Sequence, residues 1–298
     1  MRRAFTLMEL IVVVVIVAVL SVASFKALAA LKVRTFKAKE ITRLSLQTQI
    51  VLDELAQRLA ARIHATVIGY DPATGSFKYI SDILSNESYP VLEWIGYDEE
   101  NLSLGNYSGF VDMKRSITSF SDYTLYTDIS LSDLTRRALI FAAAFDRGYS
   151  GEDLDNAFGW HGKRSDAAFD ITASPPHQIT VTDSVKPQWI YEKYYLAKSA
   201  YAVARAADID KSAACLQGLD VDNDTLLLFY DYRPWRGETF CADPNGSGQS
   251  GKASILMRHV AGLSVIERDY TLRVTLDINE TLRGTSVGVH FSKMKVVF

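Results

Sequence analysis

The chain begins, over residues 1–25, with the sequence MRRAFTLMELIVVVVIVAVLSVASF, and this stretch decides the fold. Two arginines precede an apolar run in which Glu9 is the single charged residue before Lys26. Residues 5–25 therefore supply roughly the 20 mainly apolar positions that an α-helix needs to cross a bilayer core. The sequence predicts a membrane-spanning helix at the start of the chain.

Glu9 is an unusual residue for the interior of such a helix. A carboxylate there costs on the order of 2.5–3.5 kcal/mol on insertion scales, and less near the membrane interface. An ordinary signal anchor gains nothing from this cost, so we predict that Glu9 has a function and a cationic partner. The alternative is a plain signal anchor in which Glu9 lies close enough to the cytoplasmic interface to reach water.

The short basic leader, the small residue Ala4, then Phe5 and a carboxylate four residues after it, together resemble the type IV prepilin signal. This signal is typical of pilins and of the pseudopilins of type II secretion. The resemblance implies that a prepilin peptidase cleaves between Ala4 and Phe5 and that Phe5 becomes N-methylated. It also implies that Glu9 pairs with the Phe5 amine of an adjacent subunit. The family usually has glycine where this chain has Ala4.

The resemblance also implies the topology: a single pass through the inner membrane, a cytoplasmic amino terminus and a periplasmic head. Counting basic residues leaves the orientation ambiguous, because two precede the span and five follow it, against the positive-inside preference. A secretory signal peptide cleaved after Ala30 is another alternative, but the apolar run is longer than such a peptide needs.

An amphipathic pattern continues the helix beyond the apolar run. No proline or glycine occurs before Gly69, and apolar residues recur at spacings of three, four and seven. We call these residues the helix stripe; they are Leu44, Val51, Leu52, Leu55, Leu59 and Ile63. The pattern predicts one helix from Phe5 to about Thr66, roughly 90 Å long. We expect the helix stripe to pack on a sheet of the same chain, with a coiled coil as the alternative.

These patterns divide the chain into four parts. We predict a leader at 1–4, a transmembrane helix at 5–30, a periplasmic amphipathic half of the same helix at 31–68, and a β-rich head at 69–298. The fold class is α+β: a long amino-terminal helix, its first half in the membrane, packed on a large and mainly antiparallel β head. This is the lollipop shape of pilins.

The head reads mainly as β-strands separated by turn residues. Residues 138–145 are ambiguous between a helix and a buried strand. The last four strands, interrupted by turn residues at 261–262, 279–280 and 283–284, are expected to form one antiparallel meander. The predicted strands are 77–80, 91–97, 123–126, 178–182, 189–196, 201–205, 225–230, 254–260, 263–270, 272–278 and 287–298.

The two cysteines of the chain, Cys215 and Cys241, both lie in the predicted head. The periplasm is oxidising, so we predict a disulfide between them. Two buried free thiols are the alternative.

A carboxylate cluster at residues 220–224 is the one candidate cofactor site. Asp220, Asp222 and Asp224 place side-chain oxygens at alternate positions, which is compatible with Ca²⁺. Some pseudopilins bind Ca²⁺ near their carboxyl ends, but the EF-hand pattern fails here because Thr225 replaces its glycine. The alternative is a solvated turn with no bound ion. We predict no other cofactor, since the histidines and cysteines show no metal-ligand spacing.

The sequence singles out no catalytic residue, because no nucleophile, phosphate-loop or dinucleotide motif is present. We therefore expect a protein that is not an enzyme. A formal net charge of −3 gives no basic field, so no nucleic-acid partner is expected. Segments around Trp160 and Trp235 combine aromatic and basic residues, but a turn with a packed tryptophan is the favoured interpretation of both.

A second resemblance concerns residues 46–59, LQTQIVLDELAQRL, which look like the helix of J-type minor pseudopilins and of large minor pilins. It implies a structural subunit of a type II secretion pseudopilus or a type IV pilus. Because the predicted head is much larger than a repeating shaft subunit usually needs, we expect this subunit at low copy near the filament tip. The expected partners are the prepilin peptidase, other minor and major pilins or pseudopilins, and the inner membrane. The alternatives are a tip adhesin or DNA-uptake subunit, with an aromatic and basic surface near Trp160 or Trp235, and a membrane-anchored periplasmic hydrolase.

Overall fold

A computed structural model describes residues 7–84, 86–98, 107–119, 122–129, 134–141, 156–173, 177–241, 251–268, 270–281 and 288–298. The cleavage-site residues Ala4 and Phe5 lie outside these residues, as does most of the glycine-rich segment 243–251. Within the described residues, one long helix is followed by β-strands joined by short 3₁₀ turns. The predicted α+β layout is confirmed.

The helix, α1, spans Leu7–Ala60 and contains 54 residues, so it is about 80 Å long. It ends before the predicted Thr66, and a 3₁₀ turn at His64–Thr66 follows. The early end has a structural cause, because Arg62 forms a β-bridge with Gly96 of the sheet. Ile63 donates a backbone hydrogen bond to the Ile95 carbonyl at 2.9 Å, which draws the chain into the head.

Two antiparallel sheets form the head. In the described residues the larger has twelve strands: β1 Ile68–Asp71, β2 Ser76–Tyr79, β3 Val91–Tyr97, β4 Ser108–Phe110, β5 Ile117–Thr118, β6 Tyr123–Tyr126, β7 Ala138–Phe141, β8 Ala168–Ala173, β9 Gln178–Val181, β10 Lys193–Arg205, β11 Leu226–Tyr232 and β12 Lys252–Met257. The smaller has three: β13 Val260–Arg268, β14 Thr271–Thr281 and β15 Gly288–Val297.

Strand β10 organises the large sheet. Its strand order runs β2-β1-β3-β10-β7-β8-β9-β6-β5, with β4 and β11 also pairing with β10 and with β12 pairing with β11. At 13 residues, β10 is long enough to pair with two strands along each of its edges. The sequence predicted two strands here, at 189–196 and 201–205, because the intervening alanines, lysine and serine favour strands weakly. The predicted interruption appears instead as shifts of register around Ala200.

The last four predicted strands form one meander only in part. Strands β13, β14 and β15 make the small sheet, but β12 pairs with β11 of the large sheet. His259 adopts the left-handed region, with φ of 66°, and there the chain passes from one sheet to the other. The predicted turns at 261–262 and 279–280 are wrong, since both lie within strands. Gly262 instead accommodates a shift of register opposite Asp277.

Other predicted strands are close to the structure. Residues 91–97 and 123–126 are strands with the predicted bounds, and the ambiguous segment at 138–145 is a strand over Ala138–Phe141. Strands β1, β4, β5 and β8 were missed. Strand β1 follows the 3₁₀ turn at the end of the helix and pairs with both β2 and β3.

The core lies on both faces of the large sheet. On one face, the helix stripe packs between β3, β10 and β11 of the large sheet and the inner face of the small sheet. All six residues of the helix stripe are buried, although Ile63 lies beyond the end of α1 and in a different cluster. On the other face, the 3₁₀ turns Trp160–Gly162 and Pro234–Arg236 carry Trp160 and Trp235 onto the sheet, and Phe158 packs there from the bend before the first turn. The prediction that the helix packs on a sheet of its own chain is confirmed.

Candidate functional site

The first part of α1 leaves the head and is mainly apolar up to Phe25, before the basic residues that begin at Lys26. Every residue from 7 to 36 is exposed, over a length of about 45 Å. The helix is long and apolar enough to cross a membrane by length and composition, and its most apolar window is not buried anywhere in the head. Such a surface is stable in a bilayer or against other apolar helices, which suggests that this segment is a membrane anchor.

Glu9 lies in the first turn of α1, where the sequence placed it. Its neighbours Leu7, Met8 and Leu10 are exposed apolar side chains. The structure therefore presents the carboxylate on the outside of the apolar segment, where a second helix could approach it. In addition, a carboxylate in the first turn interacts favourably with the positive end of the helix dipole.

The joint between helix and head depends on Arg62, which is 1% exposed. Its guanidinium donates hydrogen bonds to the carbonyl oxygens of Leu59 at 2.7 Å and Tyr270 at 3.1 Å, and more weakly to that of Phe298 at 3.5 Å. These oxygens belong to the end of α1, the β13–β14 turn and the end of β15. Burial lowers the pKa of Arg62, with the charge of Glu267 opposing this effect. Sequence analysis missed Arg62 as the residue that fixes the helix to the small sheet.

Lysine side chains of β15 hold the helix along its length. Lys293 donates to the Ser45 carbonyl at 2.8 Å, and Lys295 pairs with Asp53 at 2.8 Å. The hydrogen bond from Lys295 lowers the pKa of Asp53. Together with the buried helix stripe, these contacts fix the direction in which the apolar segment leaves the head.

The comparisons with known proteins agree with this geometry. The family model for the prokaryotic N-terminal methylation motif matches residues 1–25. The chain fits a type IV prepilin-like protein. Comparison with curated proteins and with solved structures finds no match. The motif implies cleavage by a prepilin peptidase and assembly with other pilins in general.

The predicted disulfide of this prepilin-like chain is present. Cys215 and Cys241 are bonded, with their Cα atoms 5.5 Å apart and a sequence separation of 26. The bond ties the 3₁₀ turn Ala214–Leu216 to the segment that follows β11. A disulfide is the state expected of a head in an oxidising compartment.

The structure does not bring the predicted calcium ligands together. Arg258 donates to the Asp222 carboxylate at 2.9 Å and to the Asp220 carboxylate at 3.1 Å. Asp224 instead contributes its backbone carbonyl, which accepts a hydrogen bond from Val260. Within the described residues, no group of three His, Cys, Asp or Glu side chains is placed to hold a metal. Asp220 and Asp222 have an arginine partner that is 38 and 36 positions away in the sequence, which spacing alone does not reveal.

The tryptophans that raised an adhesin or DNA-uptake alternative are buried. Trp160 is 1% exposed and Trp235 is 6% exposed. The favoured interpretation, a turn with a packed tryptophan, is correct for both, and neither ring offers a surface for a sugar or a base. Within the described part of the head, exposed aromatic side chains lie elsewhere, at Phe110, Trp189, Tyr270 and Phe298.

A buried polar cluster, which we call the Glu93 network, consists of Glu93, His161 and Tyr232. The Tyr232 hydroxyl donates to Glu93 at 2.7 Å, and His161 Nε2 lies 2.7 Å from the other carboxylate oxygen. The His161 ring stacks on Tyr70 with centroids 3.5 Å apart. Burial, followed by the charge of Glu93, raises the pKa of Tyr232 well above its usual value. One signal for this network was in the sequence: Glu93 is a lone carboxylate inside the apolar strand β3.

Proposed function

We propose that this chain is a minor pilin or pseudopilin, a structural and assembly subunit of a type II secretion pseudopilus or a type IV pilus. The observation that carries the proposal is the methylation motif at 1–25, which lies on a helix that is exposed over residues 7–36 and mainly apolar over residues 7–25. Its amino terminus is cytoplasmic and its head is periplasmic. The disulfide supports the periplasmic location of the head.

In this proposal Glu9 sets the position of the subunit against its neighbour. The methylated amine of Phe5 on an adjacent helix pairs with the Glu9 carboxylate. Each charge alone is costly in a bilayer, and pairing offsets part of that cost for both. The pair forms between two subunits, so it favours assembly over the isolated anchor.

The size of the head supports a place near the filament tip. The proposed head, 69–298, is much larger than a repeating shaft subunit usually needs. Its two sheets, buried helix stripe and disulfide build a rigid body that other minor pilins contact at low copy. We propose no catalytic role, and the complete burial of Glu93 and Tyr232 supports a structural role for the polar groups of the Glu93 network.

Processing provides the first test of this proposal. We expect the protein purified from membranes to begin at Phe5 and to carry a methyl group on its amino nitrogen, because the leader ends at the small residue Ala4. Mass spectrometry of the intact chain and of its amino-terminal peptide measures both features. A chain that still begins at Met1, or one cleaved after Ala30, would contradict the proposal.

Replacing Glu9 with leucine provides the second test. The change makes the span more apolar, so membrane insertion is expected to persist, whereas recovery of partner pilins should fall about tenfold or more. That factor corresponds to about 1.4 kcal/mol, which is below the cost of leaving one buried charge unpaired. Co-purification from solubilised membranes, with partners quantified by mass spectrometry, measures the ratio.

The matched control is Glu54→Leu, the same substitution on the same helix. Glu54 pairs with Arg58 of its own chain at 3.1 Å, and such a partly exposed pair contributes little stability. Partner recovery with Glu54→Leu should equal that of the unmodified protein. Equal recovery with Glu9→Leu would mean that Glu9 is a passive residue of the anchor.

A further inference from the structure

The inner face of the small sheet is buried along β14 but partly exposed to solvent along β13. Residues directly opposite each other on paired strands point to the same face. The inward side chains of β14 are buried, and they are Leu272, Val274 and Leu276. The residues opposite them on β13 are half-buried, and they are Glu267, Val265 and Leu263. The core between the two sheets therefore reaches solvent along this strand.

A cleft of about 300 Å³ lies where the core opens. Its floor includes Gly69 of β1 and Leu92 of β3, and among the described residues one wall is formed by Ile83, Leu84, Glu87, Ser88 and Tyr89. The other wall consists of the consecutive β13 residues 263–268. Since successive side chains of a strand point to opposite faces, a wall of consecutive residues means that β13 presents its edge to the cleft.

The outer edge of β13 has room for another strand. In the part of the chain that the structure describes, β13 pairs with β14 alone. The first residues of the edge are occupied, because Val260 donates to the Asp224 carbonyl and Arg205 donates to the Ala261 carbonyl. From 263 to 268, alternate backbone N–H and C=O groups point away from β14, and such groups can pair with an extended chain.

The charge in the cleft indicates which side chain an added strand should carry. Burial raises the pKa of Glu267, and the charge of Asp82 acts in the same direction against the opposing effect of Arg62. The ionised form of Glu267 is therefore disfavoured at this position, and a cation placed beside the carboxylate would stabilise that form. Among the described residues that line the cleft, the other charged ones are Glu87, which already pairs with Lys78, and Arg268, which alternates with Glu267 and so points to the opposite face of the strand.

We propose that this cleft binds an extended peptide segment of another protein, which pairs with β13 as an added strand and places a lysine or arginine side chain against Glu267. The inward side chains next to that cation are apolar, because they contact Val265 and Leu263. About six residues of peptide cover 263–268, at roughly 3.4 Å per residue. This proposal goes beyond filament assembly and does not depend on it.

The test uses the full chain in detergent micelles and two fluorescein-labelled peptides. The first is Val-Thr-Val-Thr-Lys-Thr-Val-Thr-Val, which puts its lysine and valines on one face in either strand direction. The second has glutamate in place of lysine. Fluorescence polarisation should give a dissociation constant at least tenfold lower for the lysine peptide. Hydrogen exchange with this peptide bound should slow at the amides of 263–268.

Charge reversal then locates the contact. Glu267→Lys should reverse the order of the two affinities, and Glu267→Gln, which keeps the size of the side chain, should bring them within threefold of each other. The matched control is Glu192→Lys, an equal change of charge at an exposed residue outside the cleft. It should leave the preference for the lysine peptide unchanged.

Three results would each overturn the proposal. They are equal binding of the two peptides by the unmodified protein, a lysine preference that survives both Glu267 substitutions, and exchange protection that does not include 263–268. In any of these cases Glu267 acts simply as an inward-pointing charge that keeps β13 from pairing with other chains.

Discussion

Replacing Glu93 with alanine is expected to lower the free energy of unfolding by about 3–5 kcal/mol. Glu93 lies on β3, fully buried, and both of its carboxylate oxygens have partners 2.7 Å away. Without it, the Tyr232 hydroxyl and the His161 ring nitrogen remain buried with no acceptor at this position. Leaving such groups unsatisfied costs their full desolvation penalty, in addition to the cavity that the shortened side chain creates.

Chemical denaturation of the detergent-solubilised chain measures this effect. The fluorescence of the buried residues Trp94, Trp160 and Trp235 reports on the packing of the head. Tyr232→Phe and the variant with both the Glu93 and the Tyr232 substitution complete a double-mutant cycle. This cycle isolates the free energy of the Tyr232–Glu93 interaction. As a control, the exposed Glu192→Ala should change stability by no more than about 0.5 kcal/mol. A loss below about 1 kcal/mol for Glu93→Ala would show that the network adds little.

Replacing both cysteines with alanine is expected to lower the free energy of unfolding by roughly 3–4 kcal/mol. The Cys215–Cys241 bond closes a loop with a sequence separation of 26. In the chain-entropy model, the bond stabilises the fold because the unfolded chain loses the freedom to separate these two positions. Residues 226–232 within that loop form β11, which pairs with both β10 and β12.

The same denaturation experiment, with and without a reductant, separates loss of the bond from loss of the sulfur atoms. Reductant should destabilise the unmodified protein by about the same amount as the double substitution and should not affect the double variant. A double variant as stable as the unmodified protein would mean that the loop is held by its packing alone.

The losses of stability from Glu93→Ala and from the double cysteine substitution are expected to be coupled. Phe240, next to Cys241, packs edge-on against Tyr70 and Tyr232, with ring centroids 6.1 Å and 6.5 Å apart. Its ring also lies 6.5 Å from that of His161. Residues in contact usually show non-additive effects, so the combined loss from Glu93→Ala and the cysteine substitutions should differ from the sum of the two.

The candidate site could be predicted from sequence where the signal is local. Glu9 and the apolar run around it lie within one helical segment, so a carboxylate among membrane-length apolar residues is visible without a structure. The helix stripe is equally local, because residues three and four apart share a helical face. The disulfide also followed from the sequence, since two cysteines allow a single pairing within one chain.

The residues that sequence analysis missed have distant partners. In the sequence, Arg62 resembles any other cation of an amphipathic helix. In the structure, its guanidinium donates hydrogen bonds to the carbonyl oxygens of Tyr270 and Phe298, which lie far away in the chain. The sequence suggested a metal site at Asp220 and Asp222. In the structure, Arg258 forms ion pairs with both carboxylates. The charge of Glu267 favours an outward position, but the residue shares the inner face with Leu263 and Val265, as the register with β14 shows.

The sequence by itself determined the anchor, the long helix with its buried stripe, the β character of the head and most strand positions. These features follow from periodicity and hydrophobicity within short windows of chain. Only the tertiary structure decided that β12 joins the large sheet, that β10 is continuous, and which polar groups are buried together. Pairing between strands depends on backbone hydrogen bonds and on packing between residues far apart in the chain. A short window of sequence therefore does not indicate which neighbouring strand a given strand will pair with.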